Sequence, residues 1–136
     1  MRVERVVPIL NVSNVTESIA WFRKLGWELG FQWRSAEDGS VDFGGVRNGD
    51  HEIFLSRNGQ GGRGRGPNAS TGRPADHQGD KGVWIAIWVE DVDAMYRRCL
   101  AEGLEVTYPP SDEPWGLRET HVRHPDGHVF RICRAI

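Results

Sequence analysis

Two stretches of this chain decide its fold: residues 6–28, VVPILNVSNVTESIAWFRKLGWE, and residues 83–105, VWIAIWVEDVDAMYRRCLAEGLE. Sliding the sequence by 77 positions aligns them without a gap, so that Gly26 meets Gly103. Both glycines stand where a helix C-cap belongs, because glycine adopts the left-handed conformation that ends many helices. A repeat of this length, present twice, indicates a duplicated supersecondary unit, since solenoid repeats are shorter and more numerous.

An apolar strand opens each copy, over 6–12 and 83–89, and a helix follows it. Asn14 is the predicted N-cap of the first helix, because its side-chain oxygen can accept a hydrogen bond from a free N–H group of the first turn. The second helix is predicted to start at Asp91, with Asp93 in its first turn, where the helix dipole favours negative charge. An apolar stripe along each helix is expected to pack on the strands. The stripe residues are Ile19, Phe22 and Leu25 in the first helix, and Val92, Met95 and Leu100 in the second.

Three further strands complete each copy, and turn-forming residues separate the last two: Asn48-Gly49-Asp50 and Pro125-Asp126-Gly127. The fold class is therefore α+β, with two tandem βαβββ modules. The predicted strands cover 27–34, 41–47 and 51–56 in the first copy, and 105–108, 117–124 and 128–134 in the second.

Length and composition limit the classes of function that this chain can have. At 136 residues we expect one domain over 1–136, with modules at 1–56 and 83–136 joined by a Gly/Arg-rich linker at 57–82. A net charge of −2 argues against nucleic acid as a partner. No stretch approaches the roughly 20 apolar residues of a membrane span, and two cysteines are too few for a disulfide scaffold. We therefore expect a cytoplasmic protein with no membrane partner.

Charge is uneven along the chain. Residues 57–81 hold five basic and two acidic side chains, a local +3 that leaves −5 for the remainder. This glycine-rich segment has almost no apolar residue, so it is expected to be a long loop, either a plain connector or a cover for a ligand site. The −5 elsewhere favours a cationic ligand modestly.

The tryptophans are the most informative side chains. Strand alternation puts Trp84, Ala86 and Trp88 on one face of the strand over 83–89, with the isoleucines on the other. A small residue between two indoles forms a slot for a flat molecule. The alternative is a second hydrophobic core. Glu52 and Glu119 could form a catalytic carboxylate pair, but nothing in the sequence fixes their distance, and we expect both to be solvated.

The plan above, with Leu10-Asn11-Val12, Trp21-Phe22 and Leu25-Gly26-Trp27 early and Pro125-Asp126-Gly127 late, resembles the vicinal-oxygen-chelate superfamily. That superfamily includes glyoxalase I, extradiol dioxygenases, fosfomycin-resistance enzymes and bleomycin-resistance proteins. The resemblance implies that each module curls into a half-open cup, and that the two modules face each other around a cavity.

The resemblance also implies where a metal would bind. Metal-dependent members use one His, Glu or Gln from the first and last strand of each module, and the corresponding residues here are Val7, Phe54, Trp84 and Arg131. None of these side chains is a metal ligand. The five histidines show no ligand spacing, and no nucleophile motif is present. We therefore expect no metal, no cofactor and no catalytic residue.

Trp115-Gly116-Leu117-Arg118, followed by His124-Pro125-Asp126-Gly127, is similar to a signature of bleomycin-resistance-type members. This resemblance implies a homodimer that traps a planar aromatic antibiotic in crevices at the subunit interface. The expected ligand is of bleomycin, mitomycin or enediyne/anthraquinone type. The alternatives are a small-molecule lyase, isomerase or transferase, metal-dependent or metal-free, and a scaffold domain without a ligand. The predicted ligand-binding residues are Phe43, Phe54, Trp84, Trp88 and Trp115 as aromatic walls, and Glu52, His121 and Arg131 as polar contacts.

Overall fold

The structure is a computed structural model that describes residues 1–64 and 82–136. Two compact units divide the chain at Gly61 and Gly62. Most of the predicted linker over 57–82, together with His77, lies outside the described residues. Within the described part, no helix is both long enough and apolar enough to cross a membrane.

The first unit is a four-stranded mixed sheet with one helix. The strand order is β1-β4-β3-β2, with β1 parallel to β4 and the other pairs antiparallel. The helix packs on β2, β3 and β4. The elements are β1 (Ile9–Val12), α1 (Val15–Lys24), β2 (Glu28–Arg34), β3 (Val41–Asn48) and β4 (His51–Arg57).

The second unit repeats this plan with the order β5-β8-β7-β6, in which β5 runs parallel to β8. Its helix packs on β6, β7 and β8. The elements are β5 (Trp84–Trp88), α2 (Val92–Ala101), β6 (Glu105–Asp112), β7 (Leu117–Arg123) and β8 (Val129–Ala135). The α+β class and the two tandem βαβββ modules are confirmed.

Equivalent residues of the two modules pair in the same register. Ile9 pairs with Phe54 in the first sheet, and Ala86 pairs with Arg131 in the second, so both partners shift by the same 77 positions. Each module also has a register shift at the same place, just before Phe31 in one and just before Tyr108 in the other. The predicted repeat is therefore a structural repeat.

Helix caps form as predicted. The Asn14 side chain accepts a hydrogen bond from the Glu17 N–H at 2.9 Å, and the Asp91 side chain accepts one from the Ala94 N–H at 2.9 Å. Gly26 has a φ of 100°. No Cβ has to be accommodated there, so the chain can turn sharply out of α1.

The helix stripes were predicted correctly for α1 and only in part for α2. Ile19, Phe22 and Leu25 of α1 are all buried, but Leu100 of α2 is 52% exposed. Cys99 is buried in its place. At roughly 100° per residue, position 99 returns almost to the direction of Val92, whereas position 100 points well away from it.

Two strand boundaries differ from the prediction by more than one residue, and proline is involved in both. The first strand begins at Ile9 instead of Val6, directly after Pro8, whose ring nitrogen cannot donate a hydrogen bond. β6 continues to Asp112 through Pro109-Pro110, where the prediction ended it at Tyr108. β6 is an edge strand, the position in a sheet where proline is tolerated.

Candidate functional site

The second unit contains a cavity of roughly 450 Å³ on one face of its sheet. β5, β7 and β8 each contribute two alternate residues to it, because every second side chain along a strand points to the same face. The residues between them on β8, such as Ile132, are buried. The cavity is lined by Ala86, Trp88, Trp115, Leu117, Glu119, Arg131 and Cys133.

A buried carboxylate lies at the floor of this cavity. Glu119 is 1% exposed. Nη2 of Arg131 donates to its two oxygens at 2.7 and 3.0 Å, and Nε2 of His121 lies 3.2 Å from Oε1. The expectation that Glu119 is solvated was wrong. It sits diagonally across the β7–β8 pair from Arg131, and such diagonal neighbours are within reach of long side chains.

Three indole rings accompany the ion pair. The guanidinium carbon of Arg131 lies 5.1 Å from the centre of the Trp84 ring, a cation–π distance. Trp84, Trp88 and Trp115 are 44%, 62% and 55% exposed. Within the described residues these rings therefore do not form a second hydrophobic core, which was the alternative interpretation of the tryptophan stripe.

A second layer of buried side chains holds the floor in place. The Tyr108 ring lies 4.9 Å from the His121 ring, centre to centre, and the Tyr108 hydroxyl donates to the buried carboxylate of Glu113. Thr120 donates from its hydroxyl to the Tyr108 carbonyl oxygen at 2.7 Å. These contacts position the ring of His121. The sequence alone predicted only the side of the sheet on which this residue lies.

Cys133 forms part of the cavity wall. Burial, together with the negative charge of Glu119, raises the pKa of its thiol. The Sγ atom lies 3.7 Å from the Ile87 carbonyl oxygen as a weak donor. At neutral pH Cys133 is a protonated thiol and acts as an apolar wall rather than as a nucleophile.

The first unit places two other predicted residues together, in an apolar cluster. Phe43 and Phe54 have ring centres 5.5 Å apart, and Phe31 lies 5.4 and 5.3 Å from them. Gly45 makes room for this cluster, because a Cβ there would stand 2.6 Å from the Phe31 ring. Glu52, which is also a predicted ligand contact, is ion-paired with Arg5.

Some lining residues were absent from the sequence prediction. Leu117 and Cys133 follow from simple alternation, since they lie two residues from Glu119 and Arg131 on the same strands. Phe31, which belongs to the phenylalanine cluster of the first unit, was also absent from the prediction. The sequence carries a weaker signal for it in the Gly44-Gly45 pair within β3, because glycine inside a strand often marks the close approach of another group.

The residues present do not fit the metal ion used by part of the superfamily. In the ranges 1–64 and 82–136, no group of three or more His, Cys, Asp or Glu side chains is arranged to hold a metal. Of the four positions implied by the resemblance, Phe54 is in the phenylalanine cluster and Arg131 is bound to Glu119.

Two further buried histidines have structural contacts. The rings of His124 and His128 lie 5.6 Å apart, although the turn between them did not require a shared face. Nδ1 of His124 accepts from the Asp126 N–H at 3.0 Å, and Nδ1 of His128 accepts from the Val83 N–H at 3.1 Å. These bonds brace the β7–β8 turn and the start of β5.

Two βαβββ modules of the same topology and register define the fold class of this chain. A sequence model of the Glyoxalase/Bleomycin resistance protein/Dioxygenase superfamily matches residues 2–132, and this chain belongs to that superfamily. A search of curated proteins finds no significant match.

Solved structures share this fold. TioX from Micromonospora sp. ML1 is 24% identical, with a TM-score of 0.72 over 98% of this chain and 100% of that one. A glyoxalase-related enzyme from Clostridium phytofermentans is 20% identical, with a TM-score of 0.74 over 100% and 98%. A bleomycin-binding protein in complex with bleomycin is 15% identical, with a TM-score of 0.65 over 98% and 100%.

Proposed function

We propose that this protein binds and sequesters a planar aromatic antibiotic or a similar natural product, and so confers drug resistance or self-resistance. The observation that carries the proposal is the combination of a roughly 450 Å³ cavity with three partly exposed indoles, Trp84, Trp88 and Trp115, at or beside it. Exposed aromatic surface around a concavity is typical of a ligand site. Stacking on indoles adds about 0.5–1.5 kcal/mol per ring pair beyond area burial.

The superfamily supports the proposal at a coarse level. It contains bleomycin-resistance proteins, and this fold is shared with a protein solved with bleomycin bound. We extend drug binding to this chain, for a ligand of bleomycin, mitomycin or enediyne/anthraquinone type. The proposed ligand contacts of the second unit are Trp84, Trp88, Trp115, His121 and Arg131, and those of the first unit are Phe43, Phe54 and Glu52.

A cytoplasmic homodimer with ligand crevices at the subunit interface is part of the proposal. More than half of each of the Trp88 and Trp115 side chains is exposed in the single chain, and a second subunit would cover such surface. Light scattering at micromolar concentration checks this, and we expect twice the mass of 15.3 kDa. A monomer at ligand-binding concentrations would contradict the dimeric crevice.

An enzyme is the second candidate, because His121 and Glu119 lie within 3.2 Å of each other at the cavity floor, and such a pair can move a proton. Both oxygens of this carboxylate already accept hydrogen bonds from Nη2 of Arg131, which holds the carboxylate against the floor. Mass spectrometry of the ligand after prolonged incubation separates the two functions. Sequestration leaves the mass and structure of the ligand unchanged, whereas turnover alters them.

Tryptophan-fluorescence titration with bleomycin, mitomycin C and an anthraquinone tests binding. We expect saturable quenching at one site per subunit for one ligand class. Trp88→Ala and Trp115→Ala should each weaken binding roughly tenfold, since each removes a stacking surface and its buried area. Leu100→Ala is the matched control: it truncates a similarly exposed apolar side chain, but on α2. No response across the panel, or an equal loss in the control, would contradict the proposal.

A further inference from the structure

Glu119 and Arg131, the two charged residues at the cavity floor, differ in how many further hydrogen bonds they can form. Both oxygens of Glu119 are already in use: Oε1 meets Nη2 of Arg131 at 2.7 Å and Nε2 of His121 at 3.2 Å, while Oε2 meets Nη2 of Arg131 at 3.0 Å. Nε1 of Trp115 also lies 3.5 Å from Oε2, a weak contact. The carboxylate thus has little capacity left to accept a donor from a ligand.

Arg131, by contrast, has N–H donors that are still unused. A guanidinium carries five N–H donors, and within residues 1–64 and 82–136 only those on Nη2 are bonded. One face of the group covers the Trp84 ring. Its side chain is 27% exposed and lines the cavity. The unused polar capacity of the floor is therefore the Nε and Nη1 donors of Arg131.

Charge at the floor is balanced. The positive charge of Arg131 is neutralised by Glu119, so the site offers donors without a net positive field. A cationic ligand would meet the arginine and find no free acceptor, whereas an anionic ligand would meet the donors but also the buried carboxylate. A neutral carbonyl oxygen accepts the same N–H groups without either repulsion, and burial strengthens such a bond.

We infer that the ligand of this cavity is a neutral planar aromatic with a ring-conjugated carbonyl, such as a quinone or an aryl amide, whose oxygen accepts from Arg131 while its ring stacks on Trp88 and Trp115. The inference rests on the proposed function and sharpens it. It reverses the expectation, drawn from the −5 outside residues 57–81, that the ligand is cationic.

A naphthalene series tests the inference. The probes are 2-naphthamide, 2-methylnaphthalene, 2-naphthoate and 2-naphthylmethylammonium, which share a ring and differ in one substituent. Dissociation constants come from shifts of the indole Nε1–H resonances of the ¹⁵N-labelled protein. We expect 2-naphthamide to bind about tenfold tighter than the methyl and ammonium compounds, since a hydrogen bond to a charged donor contributes that much. The Nε–H resonance of Arg131 should shift with the amide.

Arg131→Met alone leaves Glu119 buried without its partner, so the test uses Arg131→Met together with Glu119→Gln. In this double variant the amide should lose its advantage over 2-methylnaphthalene while ring binding persists. Glu119→Gln alone restores net positive charge and should make 2-naphthoate the tightest ligand. Arg134→Met is the control, because Arg134 is also on β8 but donates to the Ala135 carbonyl oxygen.

Two failures are distinguishable. If the four probes bind with similar affinity, or the ammonium compound matches the amide, the carbonyl inference is overturned and ring binding stands. An amide advantage that survives in the double variant overturns it as well, because Arg131 is then not the donor. If no probe binds at all, the proposed function and this inference fail together.

Discussion

The two units share one backbone plan and differ in what they place on one sheet face. Phe54 of the first unit occupies the strand position that Arg131 occupies in the second, and Phe43 occupies that of Glu119. One face therefore carries a phenylalanine cluster, and its repeat carries a buried ion pair. The register is the same in both units, and different side chains at a few equivalent positions make one face apolar and the other polar.

The difference extends to the neighbouring strand. Phe31 pairs with Gly45 in the first unit, and its ring fills the space over that glycine; Tyr108 pairs with His121 in the second, and the two rings contact each other. Apolar rings need only shape and volume, whereas the ion pair needs every partner in position. The second face should therefore be the more sensitive of the two to single substitutions.

The largest effect is expected at Arg131. Replacing it with methionine leaves Glu119 buried without its cation, which should lower the free energy of unfolding by about 3–5 kcal/mol. Phe54→Met at the equivalent position should cost less than about 1.5 kcal/mol, because it nearly conserves apolar volume. Urea denaturation measures both, and adding Glu119→Gln should recover part of the Arg131 loss. Equal costs at the two positions would remove the contrast between the faces.

A smaller effect is expected at Gly45. Alanine there puts a Cβ against the Phe31 ring, which must move, and overpacking of this kind costs about 1–3 kcal/mol. Gly49→Ala is a useful comparison: its φ of 57° makes alanine strained, but no atom lies within 4 Å of the added carbon. Thermal unfolding with aromatic NMR shifts of Phe31 separates the two causes. Unshifted Phe31 resonances in Gly45→Ala would contradict the packing argument.

The cysteines should give the smallest effect. Burial raises the pKa of Cys99 to about 11, and burial also raises that of Cys133. Because the folded-state pKa values lie above those of the unfolded chain, the stability from both thiols is present at neutral pH and declines as pH rises above about 9. Urea midpoints between pH 7 and 10 measure the decline, and Cys99→Ser should reduce it.

Thiol alkylation tests whether the ligand binds in the cavity beside Cys133. Both thiols should react slowly at pH 7, and a bound ligand should slow the labelling of Cys133, which lines the cavity, while leaving Cys99 of α2 unchanged. Mass spectrometry of labelled peptides measures this. Equal protection of the two thiols would indicate general stabilisation instead of occupancy.

The sequence was sufficient for the fold, because periodicity, caps and an ungapped repeat are local signals. Alternation, which is local too, placed Ala86 and Trp88 on one face of their strand, and both line the cavity. The burial of Glu119 was beyond it: whether a strand carboxylate is solvated depends on which side chain stands diagonally across the next strand. The sequence also did not distinguish Cys99 from Leu100 as the buried residue of α2, because the two are adjacent in sequence and only one of them points toward the sheet.

Pro109-Pro110 has a consequence for how copies of this chain can associate. Neither residue has a backbone N–H group, so two successive donors are missing from this edge strand. The pairing with β7 shifts register between Tyr108 and Ser111, where the two prolines lie. An edge strand interrupted in this way is a poor template for strand addition. Self-association that extends the second sheet through β6 is therefore disfavoured.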